Sequence, residues 1–326
     1  MSLLLFIAGM VLLIAGSNWL VDGASSLARR FNISDLVIGL TIVAFGTSSP
    51  ELIVNLFASF NGNTDIAIGN VVGSNIFNTL VILGLTAIVT PIAVKSTTVW
   101  KEIPFSILAV IAMAFMANDI FIDGNSKDMI SRNDGFILLC FFSIFMAYTF
   151  ALAKSSGPLK EVTAVEMNFF KAIVFILAGL AGLFFGGKFM VEGAVDIARF
   201  LGVSEAVIGL TVVAAGTSMP ELATSVVAAI KKKSDIAIGN VVGSNIFNIF
   251  FVLGISASIR PIPLARDNSS NFDMIFLIIM SVLLLLFVFS GKEKKINRLE
   301  GTIFFLAFVA YTLVLILDTD KSFPFR

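Results

Sequence analysis

Long runs of Leu, Ile, Val and Phe alternate with brief polar breaks along the whole chain, at residues 2–28, 35–59, 65–89, 102–118 and 135–153, then at 168–198, 205–230, 235–258, 273–290 and 302–318. A helix needs roughly 20 apolar residues to cross a hydrocarbon core about 30 Å thick. The pattern therefore predicts an all-α membrane protein with ten transmembrane helices. The first run, around Leu3–Ala15, has no Lys or Arg before it and no small-residue cleavage site after it, so it reads as a retained helix rather than a signal peptide.

The ten runs fall into two sets of five. Asp65–Asn78 reads DIAIGNVVGSNIFN, and Asp235–Asn248 repeats it letter for letter, 170 positions on (235 less 65). The same offset joins Val37–Thr41 to Val207–Thr211, Gly46–Glu51 (GTSSPE) to Gly216–Glu221 (GTSMPE), and Pro91-Ile92 to Pro261-Ile262. Self-similarity of this kind marks a duplicated unit. Five crossings are an odd number, so the second unit enters from the opposite side and the repeats are inverted, as in many secondary transporters. The expected organisation is a five-helix repeat over 1–153, a short polar linker over 154–166, and a second five-helix repeat over 167–326.

Basic residues orient the chain. One side would carry Arg29, Arg30, Lys95, Lys101, Lys154, Lys160, Lys171, Lys231–Lys233, Lys292, Lys294, Lys295 and Arg298; the other has Lys127, Arg132, Arg199, Arg260, Arg266, Lys321 and Arg326. The positive-inside rule puts the richer side, and with it the central loop, in the cytoplasm, and both termini outside the cell membrane.

Chemistry enters where apolar runs are interrupted alike in both halves. Gly46-Thr47-Ser48-Ser49-Pro50-Glu51 and Gly216-Thr217-Ser218-Met219-Pro220-Glu221 set a proline and a carboxylate in mid-membrane. Proline lacks an N–H and clashes with the preceding turn, so each helix should break here and free carbonyls around Ala44 and Ala214. Irregular backbone at that depth belongs where it is buried in protein or lines a cavity. In a soluble protein Ser48-x-x-Glu51 and Ser218-x-x-Glu221 would serve as capping boxes. A charged carboxylate in the bilayer centre costs at least about 2.5 kcal/mol, which a cap does not explain. Thr47, Ser48 and Glu51 span one turn, as do Thr217, Ser218 and Glu221, so their oxygens can converge. In the third run of each half, Asn70, Ser74 and Asn78, repeated as Asn240, Ser244 and Asn248, form a polar stripe. Ser74, Asn78, Ser244 and Asn248 are read as ligands; Asn70, Asn75, Asn240 and Asn245 as interhelical hydrogen-bonding groups. Gly69-x-x-x-Gly73 and Gly239-x-x-x-Gly243 suit close helix approach.

Composition narrows the ion. Hydrophobic residues make up 57% of the chain and charged ones 13%, against about a quarter charged in soluble domains. With net charge zero there is no nucleic-acid footprint. There is no His, and the lone Cys140 sits in an apolar run where it reads as a small core residue. Any bound metal is therefore a hard ion held by oxygen, and two glutamates with hydroxyl, amide and carbonyl oxygens suit Ca²⁺, which takes 6–8 such ligands, better than Mg²⁺. Emptied of Ca²⁺ the two glutamates repel, so a replacement cation is needed before the site reorients, which favours exchange over leakage.

At these residues the chain resembles the Ca²⁺:cation antiporter superfamily, and within it the prokaryotic sodium/calcium exchangers. The resemblance spans nearly the whole chain and rests on the paired GTS-x-PE and GN-x-x-GS-x-x-x-N repeats. It implies a Ca²⁺ site between Glu51 and Glu221 with flanking Na⁺ sites, ligands at Thr47, Ser48, Ser74, Asn78, Thr217, Ser218 and Ser244 and at the Ala44 and Ala214 carbonyls, and alternating access in which the first and sixth helices slide across the other eight. Some relatives carry Asp where this chain has Asn248; an amide supplies no third charge, so no K⁺ requirement is expected. The transported ions are Ca²⁺ and Na⁺. A Ca²⁺/H⁺ antiporter on the same scaffold is the alternative, with Glu51 and Glu221 carrying protons. No enzymatic activity, resident cofactor or obligate protein partner is expected beyond the lipid bilayer: Gly-x-Gly-Asp, Ser–His and His-Glu-x-x-His patterns are missing. A passive channel fits the duplication and broken helices less well than a carrier.

Overall fold

The computed structural model describes residues 2–123, 127–155, 167–201, 214–264, 269–290 and 294–319. Its helices are α1 (Ser2–Arg30), α2 (Asp35–Thr47), α3 (Ser49–Asn61), α4 (Thr64–Phe77, running on through Leu83–Val89), α5 (Thr98–Met116), α6 (Asp119–Asp123), α7 (Arg132–Ser155), α8 (Phe169–Phe200), α9 (Met219–Ile230), α10 (Ser234–Ile259), α11 (Ser269–Ser290) and α12 (Arg298–Thr319). Among the described residues, α1, α4, α5, α7, α8, α10, α11 and α12 are long and apolar enough to cross a membrane, and α2 with α3 form a further span bent by 46°. The run expected at 205–230 is described only from Ala214 on; Val207–Thr211 lies outside the described residues.

Local sequence sets the helix ends. Ser34 Oγ accepts the Val37 N–H at the head of α2, and Asn168 Oδ1 accepts the Lys171 N–H at the head of α8. Gly62, with φ of +81°, ends α3 in the left-handed conformation. Three long helices, α5, α11 and α12, begin about a turn before their apolar runs, because polar residues such as Thr98, Ser269 and Arg298 belong to the first turn.

The two repeated helices form the centre. Of their most apolar stretches, 83% of α4 and 94% of α10 is buried, against 17% of α7 and 11% of α12. Phe105 of α5, Phe141 and Phe145 of α7 and Phe250 of α10 pack with ring centroids 5.4–5.7 Å apart, two pairs stacked and Phe105 edge-on to Phe250, closing one flank of this core. Gly239 and Gly243 let α10 lie on α2: a methyl group at Gly239 would stand 3.0 Å from the Leu36 carbonyl, and one at Gly243 3.0 Å from Leu40 Cα. The positions that would face Gly69 and Gly73 by the same offset, 206–210, lie outside the described residues.

Helices α1 and α8 run antiparallel as a pair over a smaller apolar cluster that includes Leu13, Leu20, Ile38, Val43, Ile176 and Leu183. Their contact is glycine to backbone. A Cβ at Gly9 would run into Met190 N, at Gly16 it would lie 2.8 Å from Gly179 O, and at Gly186 2.7 Å from Leu13 N.

The chain is not wholly helical. Two antiparallel ribbons pair β1 (Ile92–Ala93) with β4 (Lys295–Ile296) and β2 (Met129–Ile130) with β3 (Ile262–Pro263), so each ribbon ties the first half to the second. The repeated Pro-Ile dipeptides head β1 and β3. Cys140 is a correction: it is exposed on α7, not packed in the core. A chain in lipid carries apolar residues on both faces of an outer helix, so an apolar neighbourhood does not mark burial.

Candidate cation site

The breaks occur where proline was expected to make them, and they are alike. Pro50 and Pro220 are each the second residue of their helix, α3 and α9, where a missing N–H costs nothing. Ser48 (φ −82°, ψ 6°) and Ser218 (φ −90°, ψ 6°) form the corners. Neither hydroxyl caps its own helix, which removes the capping-box reading. Each reaches across instead. Ser48 Oγ donates to Glu221 Oε1 at 2.9 Å, and Ser218 Oγ donates to Glu51 Oε1 at 3.0 Å. Both glutamates are 1% exposed. The expected convergence of Ser48 with Glu51 on one turn thus gives way to an exchange between the halves, which brings the two carboxylates to one place.

The stripe residues surround them. Asn78 Nδ2 donates to Asn245 Oδ1 at 3.1 Å, and Asn248 Nδ2 donates to Asn75 Oδ1 at 3.2 Å, again a pair related by the 170-residue offset. With each amide nitrogen engaged this way, Asn78 Oδ1 and Asn248 Oδ1 are left without a partner, as are Glu51 Oε2, Glu221 Oε2, Ser74 Oγ, Ser244 Oγ and Thr217 Oγ1. All seven atoms are buried. Six form three pairs 170 positions apart, and among the described residues none of the other buried oxygens without partners pairs in that way. Leaving such a group unsatisfied costs about 1–3 kcal/mol. A duplicated set of them is a donor set that a cation could share. Among the described residues no group of three or more acidic, His or Cys side chains could hold a metal, so this donor set is two carboxylates with neutral oxygens, and it fits a hard ion.

Other expected ligands are placed less openly. Thr47 Oγ1 sits 3.1 Å from both Val43 O and Asn240 Oδ1. The Ala44 carbonyl accepts the Ser48 N–H at 2.9 Å, so the break does not free it, although a carbonyl keeps a second lone pair. Ala214 opens a single helical turn, Ala214–Gly216, before the corner.

Asn70 and Asn240 brace the carboxylate helices. Asn70 Nδ2 donates to Asn55 Oδ1 at 2.7 Å and Glu51 O at 3.4 Å; Asn240 Nδ2 donates to Ser225 Oγ at 3.0 Å and Glu221 O at 3.3 Å. Asn240→Ala removes these and the Thr47 contact, and is expected to cost about 2–3 kcal/mol at roughly 1 kcal/mol per hydrogen bond. A lower apparent melting temperature of the detergent-solubilised protein measures it.

Sequence reasoning did not foresee the backbone at Asn78 and Asn248. Wide π-helical turns start at Asn78 (Asn78–Ile82) and span Asn248 (Phe247–Leu253). Such turns gather at functional sites because they re-aim side chains. Periodicity over a few residues carries no signal for them. Beside the corners a cavity of about 330 Å³ opens between α8 and the breaks, lined by Pro50, Thr217 and Pro220 on one wall and Phe184, Lys188 and Glu192 on the other.

Comparison with known proteins finds relatives along nearly the whole chain. A family profile described as "Sodium/calcium exchanger protein" matches residues 1–151 and 171–317. The putative antiporter CaxA of Alkalimonas amylolytica is 39% identical over 95% of this chain and 97% of its own length. The sodium/calcium exchanger MaX1 of Methanosarcina acetivorans is 32% identical over 96% of this chain and 98% of its own. A solved structure of the sodium-calcium exchanger NCX_Mj, soaked with Na⁺ and Sr²⁺, superposes with a TM-score of 0.80 at 36% identity, covering 95% of this chain and 96% of that one.

Proposed function

Because this chain belongs to the sodium/calcium exchanger protein family, a family of multi-pass membrane cation antiporters, we propose that it exchanges Ca²⁺ for Na⁺ across the cell membrane by alternating access at a site shared by Glu51 and Glu221. The observation that carries this reading is the set of three buried oxygen pairs, on Glu51/Glu221, Ser74/Ser244 and Asn78/Asn248, that have no protein partner. Thr47, Ser48, Thr217, Ser218 and the Ala44 and Ala214 carbonyls complete the ligand set. The site lies between two inverted repeats of five helices, 1–153 and 167–326, joined by the linker 154–166; α2 with α3 is one span, and the segment ending in α9 is its counterpart. The relative named as a sodium/calcium exchanger and the similarity to NCX_Mj support Na⁺ as the coupling ion.

Charge supports an orientation with the linker inside and both termini outside. Three ion pairs gather at one end: Lys95 with Asp235, Lys233 with Asp35 at 3.0 Å, and Lys231 with Asp22 at 2.7 Å. The β1–β4 ribbon brings Lys294 and Lys295 to the same end. This is the richer side of the basic-residue count, so it is the cytoplasmic one.

The test is ⁴⁵Ca²⁺ uptake into proteoliposomes loaded with Na⁺. We expect uptake that needs the outward Na⁺ gradient and is indifferent to K⁺, since neither Asn78 nor Asn248 supplies a third negative charge. A proton gradient that replaces Na⁺ fully would make the protein a Ca²⁺/H⁺ antiporter on the same site. No Ca²⁺ movement under either gradient, in folded protein, would refute the exchanger reading.

A further inference from the structure

In the sequence-based count the 22 Lys and Arg residues divide between the two membrane faces with one exception, Lys188. It lies in α8, 12 residues short of Phe200, which at 1.5 Å per residue is roughly 18 Å from the helix end. Glu192 follows one turn later. Ionisable side chains at such depth face a water-filled space or a partner, and this pair lines the 330 Å³ cavity whose opposite wall is Pro50, Thr217 and Pro220. That wall is the outer surface of the two corners. Thr217 Oγ1, in the same wall, is a buried oxygen without a partner.

The pair is poorly held. Lys188 Nζ is 3.9 Å from Glu192 Oε1, and the two side chains are 57% and 50% exposed. Exposed pairs contribute little, and Lys placed before Glu at this spacing is the weaker order on a helix. Asp196, a further turn on, is exposed on the same helix and accepts Ser2 Oγ at 2.9 Å. Acidic groups therefore descend the helix toward the site, with one loosely attached lysine at the bottom. The counterpart of Glu192 on α1 by the 170-residue offset is Asp22, also acidic. There the lysine comes from another element: Lys231, just past α9, binds Asp22 at 2.7 Å and the Asn18 carbonyl at 3.3 Å.

Building on the exchanger reading, we propose that Glu192 is the vestibule carboxylate that collects cations on the way to Glu51 and Glu221, and that Lys188 competes with them for it, so that a divalent ion displaces the ammonium more readily than a monovalent one. A carboxylate at the wall of a narrow cavity with low-dielectric sides raises the local counter-ion concentration and the entry rate, and the adjacent ammonium opposes it. Glu192 does not touch the bound ion in this scheme; it sets how fast the ion arrives.

The experiment is sided Ca²⁺ kinetics in proteoliposomes of known orientation, at low and high ionic strength set with choline chloride. With Glu192→Gln, the KM for Ca²⁺ offered from the Phe200 end of α8 should rise about three- to tenfold at low ionic strength, and the difference should shrink when salt screens it. Lys188→Gln should lower the same KM, Glu192→Asp should keep it near wild type, and Ca²⁺ offered from the opposite face should show none of these changes. An unchanged KM for Glu192→Gln in protein that exchanges normally overturns the proposal, as does an equal change from both faces or a fall in kcat alone. Wild-type protein that moves no Ca²⁺ removes the exchanger reading and this proposal with it.

Discussion

Glu221→Gln should abolish Na⁺-driven Ca²⁺ uptake while leaving a folded protein. The substitution keeps the oxygen that accepts Ser48 Oγ at 2.9 Å and changes almost no volume, so what is lost is one negative charge from a site that has two. Removing one partner of a buried, hydrogen-bonded charge pair costs about 2–5 kcal/mol, roughly 30- to 4,000-fold at 1.4 kcal/mol per decade. Glu51→Gln should fall in the same range, because Ser218 holds Glu51 at 3.0 Å in the mirrored arrangement. Uptake assays on both variants, with size-exclusion profiles to establish folding, test this. A Glu51→Gln protein that retains more than about half of wild-type uptake is incompatible with the two carboxylates sharing one ion, since that range leaves at most a few per cent.

The equivalence of the two glutamates was legible in the chain before any coordinate, and the reason is physical. Duplication copied an expensive feature, a proline next to a carboxylate in an apolar run, and such a feature persists in a membrane only where the environment compensates for it. The breaks at Ser48 and Ser218 and the central place of α4 and α10 follow directly. How the halves interlock was not legible. Spacing says that Ser48 and Glu51 share a turn, but it does not say that a break rotates Ser48 toward Glu221, because that depends on the other half being in place. The π-helical turns at Asn78 and Asn248 escaped for a related reason: they shift a helix by one residue without changing its composition.

Outward faces were the least legible. Cys140 looked like a core residue, and Lys188 fitted neither loop group, because sequence contrast between faces is weak where lipid and protein interior are both apolar. Yet the lysine that fitted nowhere marked a cavity wall. The first and sixth helices read as rich in small residues, Ala8-Gly9, Ala15-Gly16, Gly182 and Gly186-Gly187 among them, but that reading leaves out their register: Gly9, Gly16 and Gly23 recur every seventh residue, and Gly179, Gly186 and Gly193 repeat them at the same 170-residue offset. In the fold Gly9 meets Gly186 and Gly16 meets Gly179, while Gly23 lies against Ala172 and Gly193 against Ser2 and Phe6.

Those glycines support the second large effect. Gly186→Ala should slow exchange roughly 5- to 150-fold, the equivalent of the 1–3 kcal/mol that overpacking typically costs. The added Cβ would stand 2.7 Å from Leu13 N and 3.0 Å from Gly9 O, and neither is a side chain that can rotate away. α1 and α8 would have to separate, so two helices that are to move as a unit against the rest would no longer keep their mutual spacing. If the contact serves movement, turnover should fall further than equilibrium Ca²⁺ affinity, because Gly186 lies on the α1 side of α8, whereas the cavity and the site lie on the other wall. Leu177→Ala, an exposed position on the same helix, should change turnover little. Uptake rates and Ca²⁺ binding measured on the same preparations separate the possibilities. Turnover within about twofold of wild type for Gly186→Ala would mean that this backbone contact yields at almost no cost, and the pair could not then be the rigid body on which alternating access depends.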